Sequence, residues 1–297
     1  MAENPLEEAS VRPLGLFGNP VGHSFSPLFM NHAIRLLGLH YRYLAFTIDE
    51  QNLETALQAI LTLGFRGVNI TIPFKRAVLD YLDRIDEKAD RIGAVNCIVN
   101  DGGLLMGYNT DHLGFMKPLR DRGISVQGRA ALIIGSGGAA RAVVTGFIDR
   151  GIAEIAIVNR TEKHALSLIQ WCTEVLGYTG IAFLGDGSSL ASKQSGRFDL
   201  IVNTTPVGMY PHVEHLPLPD TVSFGTHQTV YDLIYNPWNT RLLEKARGEG
   251  ASIINGFEML ILQGLYSLSL WFPERTDEIF DLQEEVVQYT REKVRGT

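Results

Sequence analysis

The chain has 297 residues, of which 45% are hydrophobic and 20% are charged, and this composition is ordinary for a soluble globular protein. Its length suits two domains better than one. The formal net charge of −7 argues against a general nucleic-acid-binding protein, because phosphate backbones select a basic surface. No apolar run approaches the ~20 residues that span a bilayer, and the acidic N-terminal segment lacks the apolar core of a secretory signal.

The two cysteines, Cys97 and Cys172, form neither a CxxC motif nor a metal-ligand spacing. We therefore expect no disulfide framework and no metal. A reducing compartment fits this usage, so we assign the protein to the cytoplasm, with no membrane partner and no nucleic-acid partner.

Strand-like and helix-like segments alternate along the chain, which predicts parallel sheets covered on both faces by helices. In the N-terminal part, strands are predicted at 14–18, 41–48, 67–73, 94–100 and 104–109, and helices at 26–38, 53–64 and 75–85. The last two strands form a pair around the turn Asp101-Gly102-Gly103. In the second part, strands are predicted at 130–135, 154–159, 181–185, 198–203, 229–235 and 251–255, and helices at 135–151, 162–177, 240–250 and 256–272.

A glycine-rich loop opens the second part. The stretch LIIGSGGAA places Gly135, Gly137 and Gly138 between an apolar strand and a helix. Gly135 permits a tight turn, and Gly137 lets the backbone approach a pyrophosphate at the helix N-terminus. Ala140 stands where the GxGxxG motif would have its third glycine, a position that tolerates alanine. In this strand–loop–helix context the motif predicts a dinucleotide site, with a purely structural turn as the alternative.

The end of the next strand bears on the choice of cofactor. A site for NAD would place Asp or Glu about 20 residues past the glycines to hold the ribose 2′-hydroxyl, but Asn159 is neutral. Arg160, Thr161 and Lys163 would instead attract a 2′-phosphate. We therefore predict NADP (as NADPH in reduction), with NAD as the less favoured alternative. Thr161 also suits the N-cap of the following helix, and both roles are compatible.

These motifs predict an α/β protein of two domains with a cleft between them. The N-terminal domain, residues 1–111 with 257–297, is predicted to be the substrate-binding catalytic domain and to contain a mostly parallel sheet. Residues 112–256 are predicted to form a Rossmann-like, doubly wound NADP-binding domain. The long apolar helix after residue 256 is expected to return to pack on the first domain.

Polar side chains interrupt the apolar elements of the first domain. Ser26 before Pro27 is typical of an N-cap, but capping does not explain Ser24, and two hydroxyls at a helix N-terminus can hold a carboxylate. The other exceptions are Asn69, Thr71, Lys75, Asn96, Asp111 and Gln263. Taken singly, Lys75 fits a surface charge and Asp111 an N-cap. Because buried polar groups need partners, the whole set predicts a polar pocket that faces a nicotinamide.

The chain resembles the shikimate/quinate dehydrogenase family from Leu14 to Trp271. The motifs that carry the resemblance, in their order along the chain, are GNPVGHSFSP, GVNITIPFK, GAVN, NTD, IIGSGGAAR, NRT, NTTPVGM, YDLIYNP and GFEMLILQ. The resemblance implies an oxidoreductase that reversibly reduces 3-dehydroshikimate to shikimate with NADPH, on the chorismate route to aromatic amino acids. Its partners would be these small molecules, and the protein would be a monomer or a homodimer.

The resemblance also implies a role for each site residue. Lys75 would be the catalytic residue and Asp111 its partner. The residues implied to bind substrate, with Tyr235 assisting the two serines at the carboxylate, are Ser24, Ser26, Asn69, Thr71, Asn96, Tyr235 and Gln263. The residues implied to bind the cofactor are Gly135, Ser136, Gly137, Gly138, Ala139, Asn159, Arg160, Thr161, Lys163, Thr204, Leu233 and Gly256.

Two positions depart from the family pattern. His164 stands where an arginine often follows NRT, which weakens the NADP prediction, and His112 stands where a glycine usually follows NTD. A free lysine ammonium keeps its proton at neutral pH, so we expect Lys75 to act through electrostatics and positioning, with Asp111 orienting it.

Three alternatives remain open on sequence grounds. A quinate-preferring, NAD-linked dehydrogenase shares the motifs, although the serine pair favours shikimate. A non-catalytic sensor of NADP would keep the glycine loop but have little need for Lys75 and Asp111 together. A dehydrogenase of folate intermediates shares the two-domain plan but has no use for a carboxylate site at Ser24 and Ser26.

Overall fold

The computed structural model describes residues 11–188, 190 and 195–295, so the acidic N-terminal segment lies outside the described residues. The chain divides into two compact units. Unit 1 contains the residues up to Thr110 and from Ile261 onward, and unit 2 is Asp111–Leu260. Every helix in the described part of the chain is too short or too polar to cross a membrane.

Unit 1 is built on a mixed sheet. Its strands are β1 (Arg12–Gly18), β2 (Tyr41–Thr47), β3 (Gly67–Ile70), β4 (Arg84–Ile85), β5 (Cys97–Asp101) and β6 (Leu104–Tyr108). They lie in the order β2-β1-β3-β5-β6-β4. Strand β1 pairs in parallel with β2 and β3, and β4 with β6, whereas β5 runs antiparallel to β3 and β6. The predicted strand pair around Asp101-Gly102-Gly103 is therefore confirmed.

The helices of the first part of unit 1 are α1 (Ser26–Leu36), α2 (Leu53–Thr62) and α3 (Glu87–Ile92). The helix predicted over 75–85 is wrong, since Ala77–Tyr81 form only a short 3₁₀ helix and β4 follows. Asp83 gives the physical reason: its N–H donates to Leu105 O (3.1 Å) and its carboxylate accepts from Leu105 N (2.7 Å). Strand β6 thus takes backbone groups that a helix would have paired internally.

Unit 2 contains an all-parallel sheet. Its strands are β7 (Ala130–Ile134), β8 (Glu154–Val158), β9 (Ile181–Phe183), β10 (Leu200–Asn203), β11 (Thr229–Asp232) and β12 (Ser252–Asn255). Their order, β12-β11-β10-β7-β8-β9, is the doubly wound pattern whose order reverses between the first and fourth strands. Ligands of such sheets bind beyond the carboxyl ends of the strands at this reversal, here β7 and β10.

Helices cover both faces of this sheet. They are α4 (Asp111–Asp121), α5 (Gly138–Ile148), α6 (Glu162–Glu174) and α7 (Arg241–Gly248). Along β7, Ala131 and Ile133 belong to one hydrophobic cluster, and Leu132 and Ile134 belong to another. Because successive side chains point to opposite faces, both faces of β7 are buried, which explains its uninterrupted apolar sequence. The predicted α/β fold, with mostly parallel sheets, is confirmed.

The C-terminal helices are α8 (Phe257–Trp271), α9 (Thr276–Asp281) and α10 (Gln283–Arg295). The end of α8 packs on the sheet of unit 1, where the buried Trp271 donates its indole N–H to Ile98 O at 3.0 Å. A side chain at Gly67 would overlap this indole, so glycine is required there for the close approach. On α10, Tyr289 stacks on His32 of α1, with ring centroids 3.6 Å apart.

Candidate active site

Two serines stand at the start of α1. The Oγ atoms of Ser24 and Ser26 are 3.1 Å apart, and the Ser26 N–H donates to Ser24 Oγ at 3.2 Å. The prediction that Ser26 is the N-cap is wrong: Phe25 occupies the cap position and Ser26 begins the helix. The reason is that Ser24, the residue before Phe25, already accepts the backbone N–H of Ser26 in the first turn. The hydroxyls of Ser24 and Ser26 therefore lie together at the N-terminus of α1, where the helix dipole is positive.

A turn directly follows β3. The Phe74 N–H donates to Thr71 O at 2.9 Å, and Ile72–Pro73 is a cis peptide bond. Lys75 comes next and is half-buried, and its carbonyl accepts from Val95 N at 2.7 Å. The backbone on both sides of Lys75 is thus held, which fixes where its side chain starts.

Three amides predicted to bind substrate belong to one buried hydrogen-bonded group. Asn69 Nδ2 donates to Asn96 O (3.1 Å), and Asn96 Nδ2 donates to Gln263 Oε1 (3.2 Å). Asn69 and Asn96 are only 4% and 2% exposed. We call this group the amide network; its members are Tyr43, Asn69, Asn96, Thr110, Gln263 and Ser267.

Sequence reasoning missed the three hydroxyl members of the amide network. Tyr43 donates to Asn69 Oδ1 at 2.9 Å, Ser267 accepts from Asn69 Nδ2 at 2.7 Å, and Thr110 accepts from Asn96 Nδ2 at 3.0 Å. Burial raises the pKa of the Tyr43 phenol well above its usual value, so this group stays a neutral donor. Ser267 could have been found, because it lies four residues after Gln263 and therefore on the same helix face.

Asp111 is the first residue of α4 and is 4% exposed. His112, the departure from the family pattern, follows in the first turn. Asp111 belongs to unit 2 and Lys75 to unit 1. The catalytic roles of both residues stay predictions.

The glycine loop of unit 2 lies at the reversal of strand order. Gly135 has a φ of +107°, and a Cβ built on it would lie 2.5 Å from Thr204 Oγ1. Thr204 is held at the end of β10 because its hydroxyl donates to Ile134 O at 2.7 Å. Only glycine suits both this φ and this contact.

Gly137 fits the same loop for a different reason. It is the N-cap of α5, and no side chain caps the helix there. A Cβ on Gly137 would meet nothing within 4 Å. The backbone at this helix N-terminus is thus open to an anionic group, as a bound pyrophosphate requires, and the loop fits a dinucleotide.

The residues predicted to hold a 2′-phosphate form a surface-exposed group that we call the phosphate clamp: Asn159, Arg160, Thr161 and Lys163. Asn159 Nδ2 donates to Thr161 O at 2.7 Å, while Arg160, Thr161 and Lys163 are exposed. Thr161 is the N-cap of α6, as predicted, but its side chain accepts no capping hydrogen bond. Its hydroxyl is therefore not used in capping, and His164 is exposed in the first turn beside it.

Leu233 and Gly256 meet at the ends of β11 and β12. A side chain at Gly256 would overlap Leu233 O, so the two backbones touch only because residue 256 is glycine. Tyr235 follows two residues after Leu233 and is half-buried in unit 2.

A buried carboxylate that sequence reasoning missed holds this region. Asp232, fully buried, accepts from Thr240 Oγ1 (2.6 Å), Asn203 Nδ2 (3.0 Å) and Ile234 N (3.1 Å). Burial raises the pKa of Asp232 to about 6, although the donors from Thr240, Ile234 and Asn203 oppose that rise. Asp232 therefore ties the ends of β10 and β11 to the start of α7.

No cluster of His, Cys, Asp or Glu that could hold a metal occurs among the described residues. Cys97 and Cys172 are free and buried, and burial raises the pKa of each thiol to about 12.

Both units match known families. The family model of the shikimate dehydrogenase substrate binding domain matches residues 16–98, and the model of shikimate / quinate 5-dehydrogenase matches residues 119–184. A protein of Symbiobacterium thermophilum named shikimate dehydrogenase (NADP(+)) is 42% identical over 264 residues, which are 89% of this chain and 90% of that protein.

Two solved structures are similar to this chain over nearly its whole length. Shikimate 5-dehydrogenase of Thermus thermophilus, in complex with NADP(H) and shikimate, has a TM-score of 0.80 and 32% identity, covering 95% of this chain and 99% of that one. Shikimate 5-dehydrogenase of Listeria monocytogenes, in complex with shikimate and NAD, also has a TM-score of 0.80 and 32% identity, covering 92% of this chain and 96% of that one.

These likenesses extend over both units. Fold, motif order and sequence identity point to one and the same group of proteins. The chain belongs to the shikimate dehydrogenase family.

Proposed function

We propose that the protein is an NADP-dependent oxidoreductase that reversibly reduces 3-dehydroshikimate to shikimate, in the pathway to aromatic amino acids. Membership of the shikimate dehydrogenase family is the observation that carries this proposal, because the relatives that match nearly all of the chain bear that name. Unit 1 would bind the substrate and unit 2 the cofactor. The domain boundaries drawn from the sequence, after residues 111 and 256, lie close to the limits of unit 2, Asp111–Leu260.

On the substrate side, the serine pair supplies the carboxylate site. The hydroxyls of Ser24 and Ser26 are 3.1 Å apart at the N-terminus of α1, where the partial positive charge of the helix favours an anion. Tyr235 would assist them. Thr71 and the amides Asn69, Asn96 and Gln263 would bind the ring hydroxyls, which both donate and accept hydrogen bonds.

On the cofactor side, the glycine loop would hold the pyrophosphate against the first amides of α5. The phosphate clamp would hold the 2′-phosphate, since Arg160 is an exposed guanidinium suited to bidentate contact. The residues that would complete this site are Gly135, Ser136, Gly138, Ala139, Thr204, Leu233 and Gly256.

The chemistry requires stabilisation of one developing charge. NADPH, when bound, supplies the hydride that reduces the C3 carbonyl carbon. As the carbonyl oxygen becomes an alkoxide, the Lys75 ammonium would stabilise it and can deliver the proton that completes the hydroxyl. Asp111 would orient the ammonium and help to restore its proton from solvent.

The cellular setting follows from the same proposal. We propose a cytoplasmic enzyme that acts on small molecules without a nucleic-acid or membrane partner. Its oligomeric state, monomer or homodimer, stays as predicted.

The test is a spectrophotometric assay at the nicotinamide absorbance, with shikimate or quinate crossed with NADP⁺ or NAD⁺. We expect strong turnover only with shikimate and NADP⁺. Preference for quinate or for NAD⁺ would replace the proposal with the quinate-linked alternative. Binding of NADP⁺ without turnover of either acid would identify a sensor and remove the catalytic function.

A further inference from the structure

The side-chain amides of the amide network have one consistent orientation. The Thr110 backbone N–H, which can only donate, bonds to Asn96 Oδ1 at 2.7 Å. This places Asn96 Nδ2 on the opposite side, where it donates to Thr110 Oγ1 (3.0 Å) and to Gln263 (3.2 Å). The Gln263 atom that faces Asn96 must accept and is therefore Oε1.

The Asn96 backbone carbonyl determines the orientation of the Asn69 side-chain amide. The Asn96 carbonyl can only accept, and it faces Asn69 Nδ2 at 3.1 Å. The second hydrogen of that nitrogen goes to Ser267 Oγ at 2.7 Å. Asn69 Oδ1 consequently faces the Tyr43 hydroxyl, which donates to it at 2.9 Å, and one lone pair of Oδ1 remains beyond that bond.

The hydroxyls of Thr110 and Ser267 connect the Asn96 and Asn69 amides to the main chain of α8. Thr110 Oγ1 and Ser267 Oγ each donate to the Gln263 carbonyl at 2.9 Å. Because an amide N–H can only donate, the two hydroxyl oxygens also accept the amide hydrogens of Asn96 and Asn69. Both residues are essentially fully buried, with 1% and 0% exposure, so water cannot replace either hydroxyl without a structural change.

We propose that Ser267 and Thr110 are positioning residues that hold the amides of Asn69 and Asn96 in place for the substrate. Each hydroxyl accepts one amide hydrogen, from Asn69 and from Asn96 respectively, and each is tied to the Gln263 main-chain carbonyl. This inference rests on the proposed function, because it assumes that the ligand is a polyhydroxylated acid. Neither residue touches the substrate in this scheme; both act through the amides.

The first test compares Ser267→Ala with Ser269→Ala. Ser269 lies two residues further along α8, and its hydroxyl donates to the Tyr266 carbonyl at 2.8 Å, so it matches the change outside the network. For Ser267→Ala we expect KM for shikimate to rise about tenfold, because a buried amide hydrogen loses its acceptor. The KM for NADP⁺ should stay within about twofold of wild type, and so should every parameter of Ser269→Ala.

Direct binding separates positioning from general damage. The Kd of shikimate in the presence of NADPH, a pair in which both molecules are already reduced and cannot react, should rise by the same factor as KM. The inference is overturned if Ser267→Ala behaves like Ser269→Ala. It is equally overturned if the KM values for both substrates rise together with a loss of kcat.

A second pair keeps the inference testable if Ser267→Ala does not fold. Thr110→Val removes the hydroxyl at nearly constant shape, whereas Thr110→Ser retains it. Thr110→Val should weaken shikimate binding about tenfold, and Thr110→Ser should recover most of that loss. Equal effects of the two substitutions would overturn the inference.

Absence of shikimate turnover in the wild-type protein would overturn the proposed function and this inference together, whereas an active wild type with unaffected variants overturns this inference alone.

Discussion

The two units build their binding surfaces from different materials. In unit 1 the three amides of the site are side chains that are hydrogen-bonded to one another in the amide network. In unit 2 the glycine loop offers backbone, with open space at Gly137, and the phosphate clamp offers exposed charges. Unit 1 thus holds its groups in place before any ligand arrives, whereas the clamp of unit 2 must be ordered by the ligand.

This difference assigns different tasks to the two units. A ring with several hydroxyls is distinguished by fixed donors and acceptors, and a misplaced one is costly. A pyrophosphate is a large anion that any close-lying backbone N–H can bind. Substitutions in unit 1 should therefore change which acid is used and how fast, and substitutions in unit 2 should change cofactor affinity.

The largest expected effect on catalysis, and the strongest test of this comparison, is that of replacing Lys75. Lys75→Met keeps the aliphatic stem but removes the charge that stabilises the alkoxide, and kcat should fall about 10³-fold, a loss near 4 kcal/mol. Steady-state kinetics should show KM values within a few fold of wild type. Arg76→Met, which removes the exposed charge next along the chain, is the control. A Lys75 variant that turns over as fast as the control would exclude Lys75 from the chemistry.

The next largest effect is a pH dependence of stability that comes from the buried Asp232 carboxyl of unit 2. The amide network of unit 1 is neutral and should add no such dependence. The pKa of Asp232 rises from 3.8 to about 6 in the folded protein, so between these values the folded state holds a proton that the unfolded state has lost. The free energy of unfolding should therefore fall by about 3 kcal/mol as the pH rises from 3 to 7.

Denaturant unfolding of wild type and Asp232→Asn across this range measures the effect. The variant should lack this part of the fall, and the exposed control Asp220→Asn should keep it. Parallel pH profiles for wild type and Asp232→Asn would show that the Asp232 carboxyl does not titrate in this window.

A pair of glycine substitutions sharpens the comparison within unit 2. Gly137→Ala meets no protein atom, so stability should be unchanged while the Kd of NADPH rises about 30-fold, near 2 kcal/mol, because the methyl group meets the pyrophosphate. Gly135→Ala forces a φ of +107° on alanine and should lower the free energy of unfolding by about 1–3 kcal/mol. Fluorescence titration and chemical denaturation separate the two. Unchanged NADPH affinity in Gly137→Ala would place the pyrophosphate elsewhere.

The smallest expected effect is that of Arg160→Ala. Loss of one exposed guanidinium should raise KM for NADP⁺ about tenfold and leave KM for NAD⁺ unchanged, since only NADP⁺ carries the 2′-phosphate. Arg150→Ala, which removes another exposed arginine just after the C-terminus of α5, controls for overall charge. Equal losses with both cofactors would show that Arg160 does not read the 2′-phosphate.

Most of the fold of unit 2 could be predicted, because its strands are largely apolar and a glycine of positive φ follows each of the helices α4 to α7. The segment after Lys75 could not. Its apolar spacing suits a helix, but the pairing of Asp83 with Leu105 depends on a strand about 20 residues further along the chain. Local patterns contain no information about such a partner.

The site divides in the same way. Ser24, Lys75 and Gly137 stand out because each breaks a local rule, and motif order then suggests their roles. Tyr43, Ser267 and Asp232 break no rule in the sequence, since a tyrosine in a strand or a serine in a helix is ordinary. Their importance arises from hydrogen bonds made across the fold, such as that between Asn69 and Ser267, 198 residues apart.

The two buried cysteines have a practical consequence for spectroscopy. At neutral pH a thiol whose pKa is raised to about 12 contains almost no thiolate, the form that reacts with maleimides. The wild-type protein should therefore remain unlabelled, and no cysteine-free background is needed. A single cysteine introduced at an exposed position such as Leu63, which is 66% exposed, would carry one fluorophore at a known place.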